Sequence, residues 1–205
     1  MRKILLKTML IFVTMPLLIS AQPLNFGNTY TISSGADGYG RPRVALTNNQ
    51  PIVIWRKDST PKTIRASKWN GTGFSNPYNI TLSGVLPDSW DGPELATKGD
   101  TVYVVFTSTA TTQSSIMLIR SFDGGNTFSD TIRVSENNPS HKFRMGNIKI
   151  DQNGHPIVSY MQYLLNWTEP KQMVNRSITY GDSFIGSTEG SFSAPGEPCD
   201  CCKSS

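Results

Sequence analysis

Cysteine is scarce in this chain: the 205 residues hold three, Cys199, Cys201 and Cys202, all beside the C-terminal end. That excludes a small fold stapled by disulfides, so stability has to come from an apolar core. For Cys199-Asp200-Cys201-Cys202 three readings stay open: a vicinal disulfide, a metal site, or a partner cysteine in another segment. A zinc site would need a fourth ligand that nothing nearby supplies. Histidine is scarcer still, with His141 and His155 each alone in a turn-like setting, so neither a metal nor a cofactor is expected. After the first twenty residues no apolar run approaches the ~20 residues that a membrane-spanning helix needs. No run of apolar residues at helical spacing occurs either, which excludes a helical bundle.

What is present begins with Met1-Arg2-Lys3-Ile4-Leu5-Leu6-Lys7, a short cationic stretch. Met9 to Ile19 follows, eleven residues interrupted only by Thr14 and Pro16, and then Ser20-Ala21-Gln22. Charge, short apolar stretch and small residue in that order form an export signal, with cleavage expected after Ala21. Losing Arg2, Lys3 and Lys7 leaves 16 of the 19 basic residues against 15 acidic ones. The mature chain is therefore near neutral and lacks a basic block, which argues against nucleic acid or an anionic membrane as partner. Export predicts a secreted, periplasmic or cell-surface protein.

The body is a series of short β-branched and aromatic stretches separated by Gly, Asn, Asp and Pro. Pro51-Ile52-Val53-Ile54-Trp55, Thr101-Val102-Tyr103-Val104-Val105-Phe106 and Pro156-Ile157-Val158-Ser159-Tyr160 each follow a turn signal and a second short strand. Pro42, Pro93 and Gly146 stand two residues before the first strand of each hairpin, at spacings of 51 and 53. A second landmark repeats Ser, Gly and Phe at fixed offsets, in Ser67–Phe74, Ser121–Phe128 and Ser177–Phe184, spaced by 54 and 56. A period of about fifty residues built from four short strands predicts an all-β chain of propeller blades. The expected divisions are an export signal at 1–21, a lead-in at 22–40, blades at 41–91, 92–144 and 145–197, and the start of a fourth at 198–205, where Pro198 continues the period. Propellers close with about four to eight blades, so the remaining blades, or another chain, are expected to complete the ring.

Ser121-Phe122-Asp123-Gly124-Gly125-Asn126-Thr127-Phe128 is the sharpest motif. A carboxylate at Asp123 suits backbone N–H groups across a tight turn, Gly125 allows a positive φ, and the Ser121 and Thr127 hydroxyls close the loop. Phe128 is expected to wedge between blades. The motif resembles the Asp-box, Ser-x-Asp-x-Gly-x-Thr-Trp/Phe, of sialidases and related propellers. The copies at 67 and 177 carry Trp69 and Thr179 in place of the Asp. The resemblance covers about residues 40 to 190 and implies the fold, with Asp-boxes of this kind also found in xyloglucan-cleaving hydrolases, sorting receptors and non-catalytic glycan-binding proteins.

Sialidases hold the substrate carboxylate with three arginines and use a Tyr–Glu nucleophile and an Asp acid/base. The resemblance places Tyr39-Gly40-Arg41-Pro42 at the first arginine, with Arg41 as anion clamp, although the family's Ile is missing. Trp55-Arg56-Lys57-Asp58 falls where the acid/base lies, making Asp58 the candidate and Arg56 a substrate-binding neighbour. The alternative reading makes Arg41 and Arg56 ordinary loop charges. Asp88, Trp90, Asp91 and Glu94 sit where the second blade's inner strand begins, so Trp90 and Asp91 are candidates for lining a ligand pocket; alternatively Trp90 packs on the neighbouring blade. Arg144, near the third blade, is expected in a rim or salt-bridge role. Asn70, Asn79, Asn166 and Asn175 begin glycosylation sequons. Two functions follow: the N-terminal part of an exported sialidase-like hydrolase, inactive as these 205 residues alone, or a non-catalytic propeller that binds glycan or protein.

Overall fold

The computed structural model describes residues 27–191, except positions 34, 36, 39, 82 and 83. The expected export signal at 1–21, Tyr39, the terminal cysteines and the expected start of a fourth blade at 198–205 lie outside the described residues. Within them the chain is all-β, with twelve strands in three antiparallel four-stranded sheets. The first sheet is β1 (Arg43–Thr47), β2 (Gln50–Lys57), β3 (Thr63–Lys68) and β4 (Tyr78–Asn79). The second is β5 (Glu94–Lys98), β6 (Thr101–Ser108), β7 (Ser115–Ser121) and β8 (Ile132–Arg133). The third is β9 (His141–Ile150), β10 (Pro156–Leu164), β11 (Lys171–Arg176) and β12 (Thr188–Ser191). Each sheet is paired in chain order, β1 lies against β5, and β5 lies against β9. First strands side by side, with sheets stacked face to face, are three consecutive propeller blades.

The turn signals act locally. Asn48 and Asn49 both adopt positive φ (47° and 61°) between β1 and β2, the conformation of a type I′ hairpin whose twist matches its strands. The core is divided between the two inter-sheet spaces. Ile52, Ile54, Ile64 and Ala66 meet Val102, Val104, Phe106 and Ile119 in one; Tyr103, Val105, Ile116 and Leu118 meet Phe143, Ile148, Val158 and Tyr160 in the other. Strand β6 sends successive side chains into opposite cores, so Val102 to Phe106 is an unbroken apolar run with every member buried.

The turn between β7 and β8 has the expected bonding. Asp123 Oδ1 accepts the amides of Asn126 (2.9 Å) and Thr127 (2.9 Å), and Oδ2 accepts the Thr127 hydroxyl (2.6 Å). Ser121 Oγ receives the Gly125 amide at 2.8 Å, and Gly125 has φ +84°. Burial pushes the Asp123 carboxyl up, but these hydrogen bonds outweigh it and hold the group well below the usual carboxylate range. Phe128 packs on the first core. The copy at 177 keeps the turn with a hydroxyl as acceptor: Thr179 Oγ1 receives the Ser183 amide at 3.0 Å, and Ser177 Oγ the Gly181 amide at 2.8 Å.

The copy at 67 is a different turn. Lys68 pairs with Ile52 as Arg120 pairs with Tyr103, and the Trp69 amide donates to Pro51 O, so Trp69 occupies the place of Ser121. The connection is two residues shorter, Asn70 Oδ1 caps the amides of Thr72 and Gly73, and the Ser67 hydroxyl donates instead to Ser75 O at 2.7 Å. The shared Ser–Gly–Phe offsets are therefore a coincidence at the serine.

Candidate functional site

The segment before β1, the start of β5 and the middle of β9 come together beside one cleft. The cleft measures about 350 Å³, with Arg41, Trp90, Asp91, Glu94, Asn147 and Tyr160 among its walls. That is at the small end of ligand-binding cavities.

Its floor is built by a bulge and a loop. In β9, Arg144 pairs with Met161 and Asn147 with Ser159, so Met145 and Gly146 together face Tyr160. Met145 takes a positive φ of 56°, which turns its amide toward Asp91 Oδ2 at 2.8 Å. The same carboxylate oxygen accepts the Thr107 hydroxyl at 2.6 Å and stands 3.7 Å from Arg144 Nε. Arg144 Nη2 contacts Asp88 Oδ2 at 2.5 Å, and Asp88 Oδ1 accepts the Trp90 amide at 2.6 Å. Arg144 thus ties the loop ahead of β5 to the third blade, while the Trp167 ring covers its guanidinium at 5.3 Å. The expected salt-bridge role of Arg144 is the one observed.

Trp90 does not pack on a neighbouring blade: it is 71% exposed and presents its indole at the cleft mouth. Glu94 is engaged by Arg43, whose Nε donates to Oε1 at 2.8 Å. Arg41 precedes Pro42 with φ 47°, and its stem lies on Gly92, where an added Cβ would stand 2.8 Å from Arg41 Cβ. Among the described residues Arg41 has no ion-pair partner, whereas Asp91 and Glu94 are both satisfied. The cleft therefore presents one uncommitted charge, a cation beside an exposed aromatic ring. Such a site suits a carboxylate or sulfate on a ligand with an apolar face.

Arg56 and Asp58 stand apart from it. Arg56 is buried, donates Nε–H to Pro87 O at 2.9 Å and pairs with Asp58 through Nη1. The Asp58 amide donates to Asp37 O at 2.8 Å. The pair fastens the lead-in and the 87–91 loop to the first blade, and neither residue lines the cleft. Arg41, Trp90 and Asp91 are brought together; Arg56 and Asp58 are not. Arg43 and the Met145–Gly146 bulge carried no readable signal beforehand, because an inter-strand ion pair and a bulge both depend on register. Among the described residues no cluster of three His, Cys, Asp or Glu could hold a metal ion, and no helix is long and apolar enough to cross a membrane. Of the sequons, Asn175 is buried, with Nδ2 donating to Val134 O at 2.8 Å and Oδ1 accepting the Gly186 amide at 3.1 Å.

The sequence matches no family model and no curated protein. Solved structures do match. An ulvan lyase of a new polysaccharide lyase family aligns over 75% of this chain and 44% of its own, with a TM-score of 0.55 at 10% identity. The Penicillium chrysogenum α-L-arabinanase complexed with arabinobiose aligns over 76% and 51%, at TM-score 0.54 and 11% identity. A Hadza microbial sialidase aligns over 70% and 36%, at TM-score 0.52 and 17% identity. The likeness is one of fold, and this chain spans between 36% and 51% of those three proteins' lengths.

Proposed function

We propose that this chain is the N-terminal part of an exported, glycan-acting propeller of the sialidase type, and that its axial cleft receives an acidic sugar. The observation that carries the reading is Arg41, an uncommitted cation beside the exposed Trp90 in this cleft. In this reading residues 1–21 are the export signal, the turns at 121–128 and 177–184 are Asp-boxes, and Arg41 is the first member of the family's arginine clamp. The fold neighbours, a sialidase, an arabinanase and an ulvan lyase, support glycan as the ligand class.

Binding without turnover is the function proposed for these 205 residues alone. Asp58 is held by Arg56 away from the cleft, so it does not stand where it could protonate a glycosidic oxygen bound there. Titration calorimetry with a sialyl-lactoside, a uronate-bearing disaccharide and neutral arabinobiose tests the reading. Acidic ligands are expected to bind and the neutral one to bind far more weakly. Arg41→Ala is expected to weaken acidic ligands about ten- to hundredfold, the worth of one charged hydrogen bond, with the thermal midpoint unchanged. Equal binding of the neutral sugar, or indifference to Arg41→Ala, would sink it. Release of fluorophore from a sialoside by the purified chain would move the function to catalysis.

A further inference from the structure

The two inter-blade interfaces share a device that the chain carries a third time. Ile52 pairs with Lys68, Tyr103 with Arg120, and Ile157 with Arg176, so each blade sets a cation on its third strand opposite the same position of its second. The backbone agrees: the carbonyls of Lys68, Arg120 and Arg176 accept the amides of Ser75, Ser129 and Ile185. In the first two blades this cation reaches forward to the turn of the next blade. Lys68 Nζ donates to Asn126 Oδ1 at 2.8 Å. Arg120 Nη1 donates to Tyr180 O at 2.7 Å, and its Nη2 pairs with Asp182. Asn126 and Asp182 are equivalent, each directly after the glycine that closes its turn. That glycine sits hard against the preceding blade: a Cβ on Gly125 would meet Ile52 Cδ1 at 2.6 Å, and one on Gly181 would meet Leu118 at 3.3 Å and Tyr103 at 3.4 Å.

Arg176 is exposed and, among the described residues, has no partner. It shares with Ile157 the face of the third blade turned away from the second, whose own side buries Val158 and Tyr160. We infer that this face is a socket for the turn of a further blade, and that Arg176 clasps an Asp or Asn placed directly after that turn's glycine. The interface would continue, in register, the two already formed.

A second copy of this chain fits the socket poorly. Its first blade would have to supply the turn, and Thr72 stands there where the others carry Asn126 and Asp182. That blade's outward side is also already covered. Tyr30 lies edge-on to Trp69 with ring centroids 5.0 Å apart, and Asp37 accepts from Trp55 Nε1 (2.8 Å) and Arg65 Nη1 (3.0 Å). Trp55 and Arg65 hold the strand positions of Phe106 and Met117, by which the second blade packs on the first.

The test extends the intact 205-residue chain with a second copy of residues 134–191, which brings its own Asp182, and follows protease resistance of the added blade. Protection of the added blade is expected, lost with Arg176→Glu and restored when the added copy carries Asp182→Lys. In the unextended chain R176E is expected to leave the thermal midpoint within about 1 °C, since it removes no native contact. An added blade degraded whatever stands at 176, or protected equally in R176E, overturns the inference. So does a dimer of the unextended chain that R176E dissolves, which would assign the face to a second copy.

Discussion

Gly125→Ala isolates the contact on which the first two blades close. Gly125 has φ +84°, and an added Cβ would stand 2.6 Å from Ile52 Cδ1. The left-handed backbone costs a residue with a Cβ about 1–2 kcal/mol. Ile52 is fully buried among Ile54, Ile64 and Val102, so it cannot withdraw freely, and crowding of this kind costs about 1–3 kcal/mol more. The sum, about 2–5 kcal/mol, corresponds to a fall in midpoint of about 5–15 °C for a chain of this length. Gly71→Ala is the internal control: φ is +99° and nothing lies within 4 Å of the new Cβ, so only the backbone share should be lost. Ile52→Val shortens the obstructing arm. Alone it should cost about 0.5–1.5 kcal/mol, but combined with Gly125→Ala it should recover about 1 kcal/mol, visible as coupling in a double-mutant cycle. Urea unfolding of the parent and these four variants provides the numbers. If Gly125→Ala costs no more than Gly71→Ala, or the cycle is additive, the contact does not hold the blades together as argued.

Three further outcomes follow from the described contacts. The lowered pKa values of Asp123 and Asp37 mean that their stabilisation is complete above the ordinary aspartate value of about 3.9 and is lost as pH falls below it; thermal scans between pH 5 and 2 should show a steep decline that Asp123→Asn flattens. Arg144→Ala leaves Asp88 and Asp91, both largely buried, without their cation, and should cost about 2–4 kcal/mol in urea unfolding while loosening Trp90 and weakening acidic ligands. Burial, reinforced at Tyr78 by the charge of Asp123, pushes the Tyr78 and Tyr103 phenols up to about 12. Because the fold favours their neutral form, that stabilisation is complete below the ordinary value of about 10 and falls as pH rises through 12; ultraviolet titration should show both ionising late, and Tyr78→Phe should remove one.

Much of the architecture was legible because it is local. Asn48-Asn49 and Gly99 specify hairpins, and the unbroken run from Val102 to Phe106 belongs to a strand buried on both faces. The Asp123 turn could be read bond by bond, since every partner lies within six residues. What stayed hidden depends on register between distant strands. Ser67 has the right offset to Phe74 but sits on the wrong side of a shorter connection. The equivalence of Lys68, Arg120 and Arg176 is invisible until the strands are paired. In the cleft, Trp90 and Asp91 were reachable because they stand just before a strand start, and Arg41 through the resemblance carried by Tyr39-Gly40-Arg41-Pro42. The separation of Asp58 was not, because it rests on the buried Arg56 choosing the Pro87 carbonyl and its own near neighbour.

The buried Asn175 has a practical meaning for anyone making this protein in a host that attaches glycans. The side-chain nitrogen that would receive the sugar is the one donating to Val134 O, from the end of the second blade. Modification must therefore happen before the second and third blades meet, and a molecule so marked carries a sugar where the buried side chain leaves no room for one. Asn70, Asn79 and Asn166 stay exposed in the finished structure and carry no such information. Occupancy at Asn175, read against those three, becomes a clock: it counts the chains that the glycosylating enzyme reached before the blades closed.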